Sequence, residues 1–107
     1  MEIRTEIKQG THILVLSGEL DLYNAPELKN ISGTLLGANA ERLIINLDKV
    51  DYIDSTGIGV LLNIHSVTKK KGIPFYLTNV HGTVEKVFRL TKLMGFLPIR
   101  DKVEEIV

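Results

Sequence analysis

The chain is expected to form a single α/β domain on a mixed, mostly parallel sheet of four to five strands, with an N-terminal β-hairpin and about four helices. Three observations lead there. Ile3, Thr5 and Ile7 alternate with Arg4 and Glu6 ahead of a Gln9-Gly10-Thr11 turn, as in the first arm of a hairpin. The near-continuous apolar run Leu43-Ile44-Ile45-Asn46-Leu47 reads as a strand covered on both faces. Directly after it, Ile58, Leu61, Leu62, Ile64 and Val67 fall at helical spacing.

Each element follows from local chemistry. His12 to Gly18 is the second arm of the hairpin. Asp21 to Leu28 is a helix entrance: Asn24 is a capping type, Pro26 suits the first turn, and Glu27 favours the positive helix end. That helix runs to around Leu36, with Gly37 near its end. A strand over Leu43 to Leu47 leads to a helix from about Thr56 to Lys69-Lys70-Lys71, stopped by Gly72. Pro74 to Thr78 is a strand. Val84, Val87, Phe88 and Thr91 mark a helix closed by Met94-Gly95. Leu97-Pro98-Ile99 suits a short edge strand, where proline is tolerated, and Val103 to Val107 a short terminal helix.

Composition narrows the function. A length of 107 residues with 44% hydrophobic content supplies one core, so residues 1–107 are read as one domain. Lysine plus arginine (13) balances aspartate plus glutamate (13), which argues against a nucleic-acid binder. Without cysteine there is no disulfide, thiol nucleophile or Cys-based zinc site. The N-terminus has no apolar signal core, and the apolar runs fall short of the ~18 residues of a membrane span. A cytoplasmic domain without membrane association is expected. The strand from Ile3 to Ile7 lies at a sheet edge and can pair with another copy, so a monomer or a weak dimer is expected.

The segment Asp54-Ser55-Thr56-Gly57-Ile58-Gly59 carries the most chemistry. It puts Ser55 at a helix N-terminus, where free N–H groups and the helix dipole favour negative charge. Two readings of Ser55 stand: a helix cap, which explains it on local pattern alone, or a phosphoacceptor. Thr56 is the secondary hydroxyl. Asp48, Asp51 and Asp54 recur every third residue, but acids in a turn are commonplace and no metal site is assigned. A phosphoaspartate receiver wants paired acids after the first strand, where Gln9-Gly10 stands. Gly57 and Gly59 lack the third glycine of a dinucleotide fingerprint. His12, His65 and His81 are scattered, and no catalytic triad or cofactor site is assigned.

These residues resemble those of the anti-sigma factor antagonists of the STAS domain group, bacterial proteins of partner-switching transcription regulation. Gly18-Glu19-Leu20-Asp21 with Asn24-Ala25-Pro26 looks like the family's N-terminal signature. Leu47-Asp48-Lys49-Val50-Asp51-Tyr52-Ile53-Asp54-Ser55-Thr56-Gly57-Ile58-Gly59 looks like its phosphorylation segment, and Phe88-Arg89-Leu90-Thr91 with Gly95-Phe96 its third helix and following turn. The resemblance implies a protein that is not an enzyme. Its unphosphorylated form binds a serine-kinase anti-sigma factor and releases the sigma factor. Phosphorylation at Ser55 ends the binding, and a serine phosphatase restores it. The implied binding surface comprises Asp21, Tyr23, Asn24, Asp54, Ser55, Thr56, Gly57 and Ile58. The alternative is a STAS scaffold module of a regulatory or transport-accessory complex whose partner ignores Ser55.

Overall fold

The first two strands form the expected hairpin. β1 (Glu2–Lys8) pairs antiparallel with β2 (Thr11–Leu20), with Lys8 opposite Thr11. Between them Gln9 and Gly10 take φ values of 50° and 79°. Positive φ at both positions is the type I′ turn, whose twist matches the flanking strands, and glycine adopts it without steric cost. The computed structural model describes residues 1–107. After β2 come α1 (Ala25–Gly37), β3 (Arg42–Ile53), α2 (Ser55–Lys71), β4 (Phe75–Thr78), α3 (Gly82–Leu90) and β5 (Ile99–Arg100).

The sheet order is β1-β2-β3-β4-β5, and β2 to β5 run parallel. Each helix therefore connects adjacent parallel strands while stepping in one direction. Crossovers of the usual right hand then place all three helices on one face. Burial follows that geometry. Leu14, Leu16, Leu43, Ile45 and Leu77 of the strands share one core with Leu28, Leu36, Leu61, Ile64, Val84 and Phe88 of the helices. The other face holds a smaller cluster of Ile13, Val15, Ile44 and Val103. Val103 belongs to a terminal 3-10 turn (Val103–Glu105), and Arg42 Nη1 donates to the Ile106 carbonyl at 2.9 Å to hold it down.

Several boundaries differ from the sequence reading. The C-terminal element is that 3-10 turn and not an α-helix, leaving three α-helices. β3 extends well beyond Leu47, to Ile53. Its second half buries Leu47, Val50 and Ile53 while exposing Asp48, Lys49, Asp51 and Tyr52. Register shifts between Val15 and Ser17 and between Gly18 and Glu19 absorb this spacing of three, which in sequence looks like a turn. α3 ends at Leu90, earlier than expected, where Thr91 Oγ1 donates to the Val87 carbonyl at 2.7 Å and Lys92 turns to φ 61°.

Candidate functional site

Leu20 and Ile53 lie side by side where β2 and β3 end, so the loops into α1 and α2 leave the sheet together. Carboxyl ends of parallel strands gather ligand and partner contacts in open α/β sheets. Asp54 joins the two loops here. Its backbone is extended (φ −112°, ψ −176°), and it is the N-cap of α2. Oδ1 accepts from the Gly57 N–H at 3.0 Å, filling one of the helix's open donors. Oδ2 accepts from the Leu22 N–H at 3.1 Å, across to the other loop.

A second acid shapes that other loop. Asp21 Oδ1 accepts from the backbone N–H groups of Tyr23 at 3.0 Å and Asn24 at 3.1 Å, and from Asn24 Nδ2 at 3.1 Å. Such side-chain to backbone bonding two and three residues on is the Asx-turn device. Asn24 occupies the N-cap position of α1 but makes no side-chain cap bond, contrary to the expectation that it caps. Its amide instead donates back to the Glu19 carbonyl at 3.0 Å.

Gly57 sets how closely α2 approaches the sheet. A Cβ there would collide with the Leu20 carbonyl oxygen and lie 2.9 Å from Leu20 Cγ. Only a residue without a side chain lets the first turn of α2 lie on the end of β2. Gly57 is accordingly buried, and its place in the site is as a floor.

Ser55 is the first residue of α2 and is exposed. The helix starts one residue earlier than expected, and the capping duty falls to Asp54, so the Ser55 hydroxyl is free of it. Around it Leu22 is 60% exposed and Tyr23 86%, while Asp21, Asn24, Asp54, Thr56 and Ile58 are half-buried. The structure thus brings the eight sequence-predicted residues onto two adjoining loops and one helical turn. Leu22 lies between Asp21 and Tyr23 in the same loop and joins them at the rim. Its backbone N–H donates to Asp54 Oδ2, which ties this loop to the start of α2.

Asp48, Asp51 and Asp54 do not converge. Both Asp54 oxygens are taken by backbone donors, and Asp48 sits beside His81, whose Nε2 is 2.6 Å from the Asp48 carbonyl oxygen. No group of three His, Cys, Asp or Glu side chains is placed to hold a metal ion. His65 is engaged elsewhere, edge-on to Phe96 with ring centroids 5.3 Å apart. No helix is long and apolar enough to cross a membrane.

A five-stranded mixed sheet, helices on one face and a hydroxyl at the start of α2 agree with the resemblance read from the sequence. The STAS domain family matches residues 2–106. The chain belongs to the STAS domain family. It is 33% identical over 106 residues to the anti-sigma-B factor antagonist of Bacillus subtilis (strain 168), covering 97% of this chain and 96% of that one. A crystal structure of a Thermotoga maritima protein, assigned as a candidate anti-sigma factor antagonist, superposes with a TM-score of 0.89. It is 29% identical, covering 96% of this chain and 89% of the other. The anti-sigma factor antagonist SpoIIAA in its unphosphorylated form shares the fold, with a TM-score of 0.74 at 24% identity, covering 97% and 92% of the two chains. A shared fold does not fix function, which has to be argued from the chain's own side chains.

Proposed function

We propose that this STAS domain is an anti-sigma factor antagonist in a partner-switching pathway. Its unphosphorylated form binds a serine-kinase anti-sigma factor through residues 21–24 and 54–58, and so releases the sigma factor. Phosphorylation of Ser55 by that kinase ends the complex, and a serine phosphatase reverses it. The protein is the substrate of this chemistry and not an enzyme.

One observation carries the reading: an exposed serine without a capping role stands at a helix N-terminus, beside two exposed apolar side chains, Leu22 and Tyr23. A phosphate there brings about −1.5 to −2 charges at pH 7. The open N–H groups and the dipole of α2 tolerate that charge within the fold. A partner buried over Leu22 and Tyr23 has to desolvate it against Asp21 and Asp54, and that penalty separates the complex. The switch needs no refolding, only a change of surface charge. The relationship to the Bacillus subtilis antagonist supports assigning this role.

The deciding experiment mixes the protein with candidate serine-kinase anti-sigma factors and ATP, then maps added phosphate by peptide mass analysis and follows the complex by titration. The expected result is one phosphate on Ser55 with loss of binding, persistent binding by Ser55→Ala, and poor binding by Ser55→Asp. Equal affinity of the two variants for an established partner would favour the scaffold reading instead.

A further inference from the structure

The outer edge of the sheet carries a pattern that the Ser55 corner does not explain. β1 bonds only to β2, leaving its other side open. The two-residue hairpin closes on Lys8 and Thr11 as a hydrogen-bonded pair, and such pairs alternate along an antiparallel ladder. Glu2, Arg4, Glu6 and Lys8 therefore direct their backbone N–H and C=O groups to β2. Those of Ile3, Thr5 and Ile7 point outward, unpaired. The side chains separate likewise: Ile3 packs on the helix-side core, whereas Arg4, Glu6 and Lys8 stand on the opposite face with Ile13 and Val15.

Exposed edges are usually guarded by charges, and this strand has four among its seven residues. Their order makes the guard selective. Antiparallel pairing with a second β1 about a twofold axis at Thr5 sets Ile3 opposite Ile7, Arg4 opposite Glu6 and Glu2 opposite Lys8. Every charge meets its opposite. The charged residues fall in the non-hydrogen-bonded positions, where side chains approach most closely. A shift of two residues one way sets Arg4 against Arg4 and Glu2 against Glu6. The opposite shift sets Glu6 against Glu6 and Arg4 against Lys8. A shift of one residue aligns outward backbone groups with groups already bonded to β2. Only one register satisfies both the ladder and the charges.

We propose that β1 is a self-recognition edge, by which two copies of this chain pair antiparallel about Thr5 and join their five-stranded sheets into one. Ile7, 64% exposed in the single chain, is then covered by Ile3 of the other copy. The Arg4–Glu6 pair within each strand, 3.0 Å between Arg4 Nη2 and Glu6 Oε2, is exchanged one for one for an Arg4–Glu6 pair between strands, so the number of such pairs is unchanged. A contact along one edge is small beside a standard interface, so the dimer is weak and follows concentration. β1 pairs no further along β2 than Ser17, short of Leu20 and Ile53, so both Ser55 corners remain outside the interface. The pairing does not depend on what Ser55 does.

A charge swap tests it. In sedimentation equilibrium, Arg4→Glu and Glu6→Arg each set like charges opposite one another twice per dimer, and each weakens self-association by at least about tenfold. Mixed in equal amounts, the two variants complement one another and dimerise as the parent chain does. A Thr5→Cys variant of this cysteine-free chain cross-links to itself on mild oxidation, because facing Cα atoms about 5.5 Å apart suit a disulfide. The proposal fails if the parent chain stays monomeric up to about 1 mM, well above the concentrations at which weak specific pairs form. It also fails if either single variant dimerises like the parent, or if their mixture does not recover.

Discussion

At the β3–α2 and β4–α3 corners the same event occurs: a parallel strand ends and the chain enters a helix on one face of the sheet. The two entrances are finished differently. Asp54 caps α2 with a side-chain bond to Gly57, whereas His81 caps α3 by position only and makes no such bond. Gly57 is pressed against Leu20, while Gly82 at the start of α3 has no heavy atom within 4 Å of where a Cβ would stand. Asp54 also reaches Leu22 in the neighbouring loop; His81 leans back on the Asp48 carbonyl. A helix N-terminus at a strand end does not by itself make a site. What sets the β3–α2 corner apart is one carboxylate that binds its own helix and the adjacent loop into a single surface.

The sharpest way to break the difference is at its floor. Gly57→Ala forces a methyl group into the Leu20 backbone, which cannot yield as a flexible side-chain tip would. A loss of about 2–3 kcal/mol is expected, typical of overpacking against rigid structure. Urea unfolding measures it, and a loss under about 0.5 kcal/mol would mean that α2 sits less tightly than described.

Asp54→Ala comes next. It removes the cap of α2 and the tie to Leu22, for about 1–2 kcal/mol from a half-buried carboxylate. Amide exchange tells a local effect from a general one: the Leu22 and Gly57 amides should lose protection before those of the core strands. His81→Ala at the other corner should change stability by no more than about 0.5 kcal/mol, since its contact is exposed and its helix is not capped by it. Similar losses at the two corners would erase the distinction between them.

How far the sequence revealed this contrast depends on which physical signal each part used. Periodicity identified the strands and helices, because Leu43 to Leu47 and the Ile58, Leu61, Ile64 stripe are local patterns. The second half of β3 was hidden: its apolar residues fall every third position, and the bulges that bring Leu47, Val50 and Ile53 inward belong to its pairing with β2. Within the candidate site, Asp54-Ser55-Thr56-Gly57 was legible locally, since an acid, hydroxyls and glycine at a helix entrance have local meaning, whereas Asp21, Tyr23 and Asn24 entered it only through the family resemblance. Who caps whom was not legible. Asp54 and Ser55 are both good capping types, and only the positions of the Gly57 and Leu22 N–H groups decide between them. The tie between the Leu22 N–H and Asp54 spans 32 residues, beyond any local pattern.

That choice between two adjacent capping residues yields the smallest expected effect and the most discriminating one. A serine that caps a helix loses about 1 kcal/mol on replacement by alanine. Ser55 stands one position inside α2, where alanine is the better helix former and no cap bond is at stake. Ser55→Ala should therefore leave stability within about 0.5 kcal/mol of the parent in urea unfolding. A loss near 1 kcal/mol with Asp54 intact would return Ser55 to a structural role and leave its residue type explained without any phosphate. Stability unchanged removes that explanation. The hydroxyl is then surplus to the fold, and the reason for a serine at this exposed position has to lie in what meets it from outside.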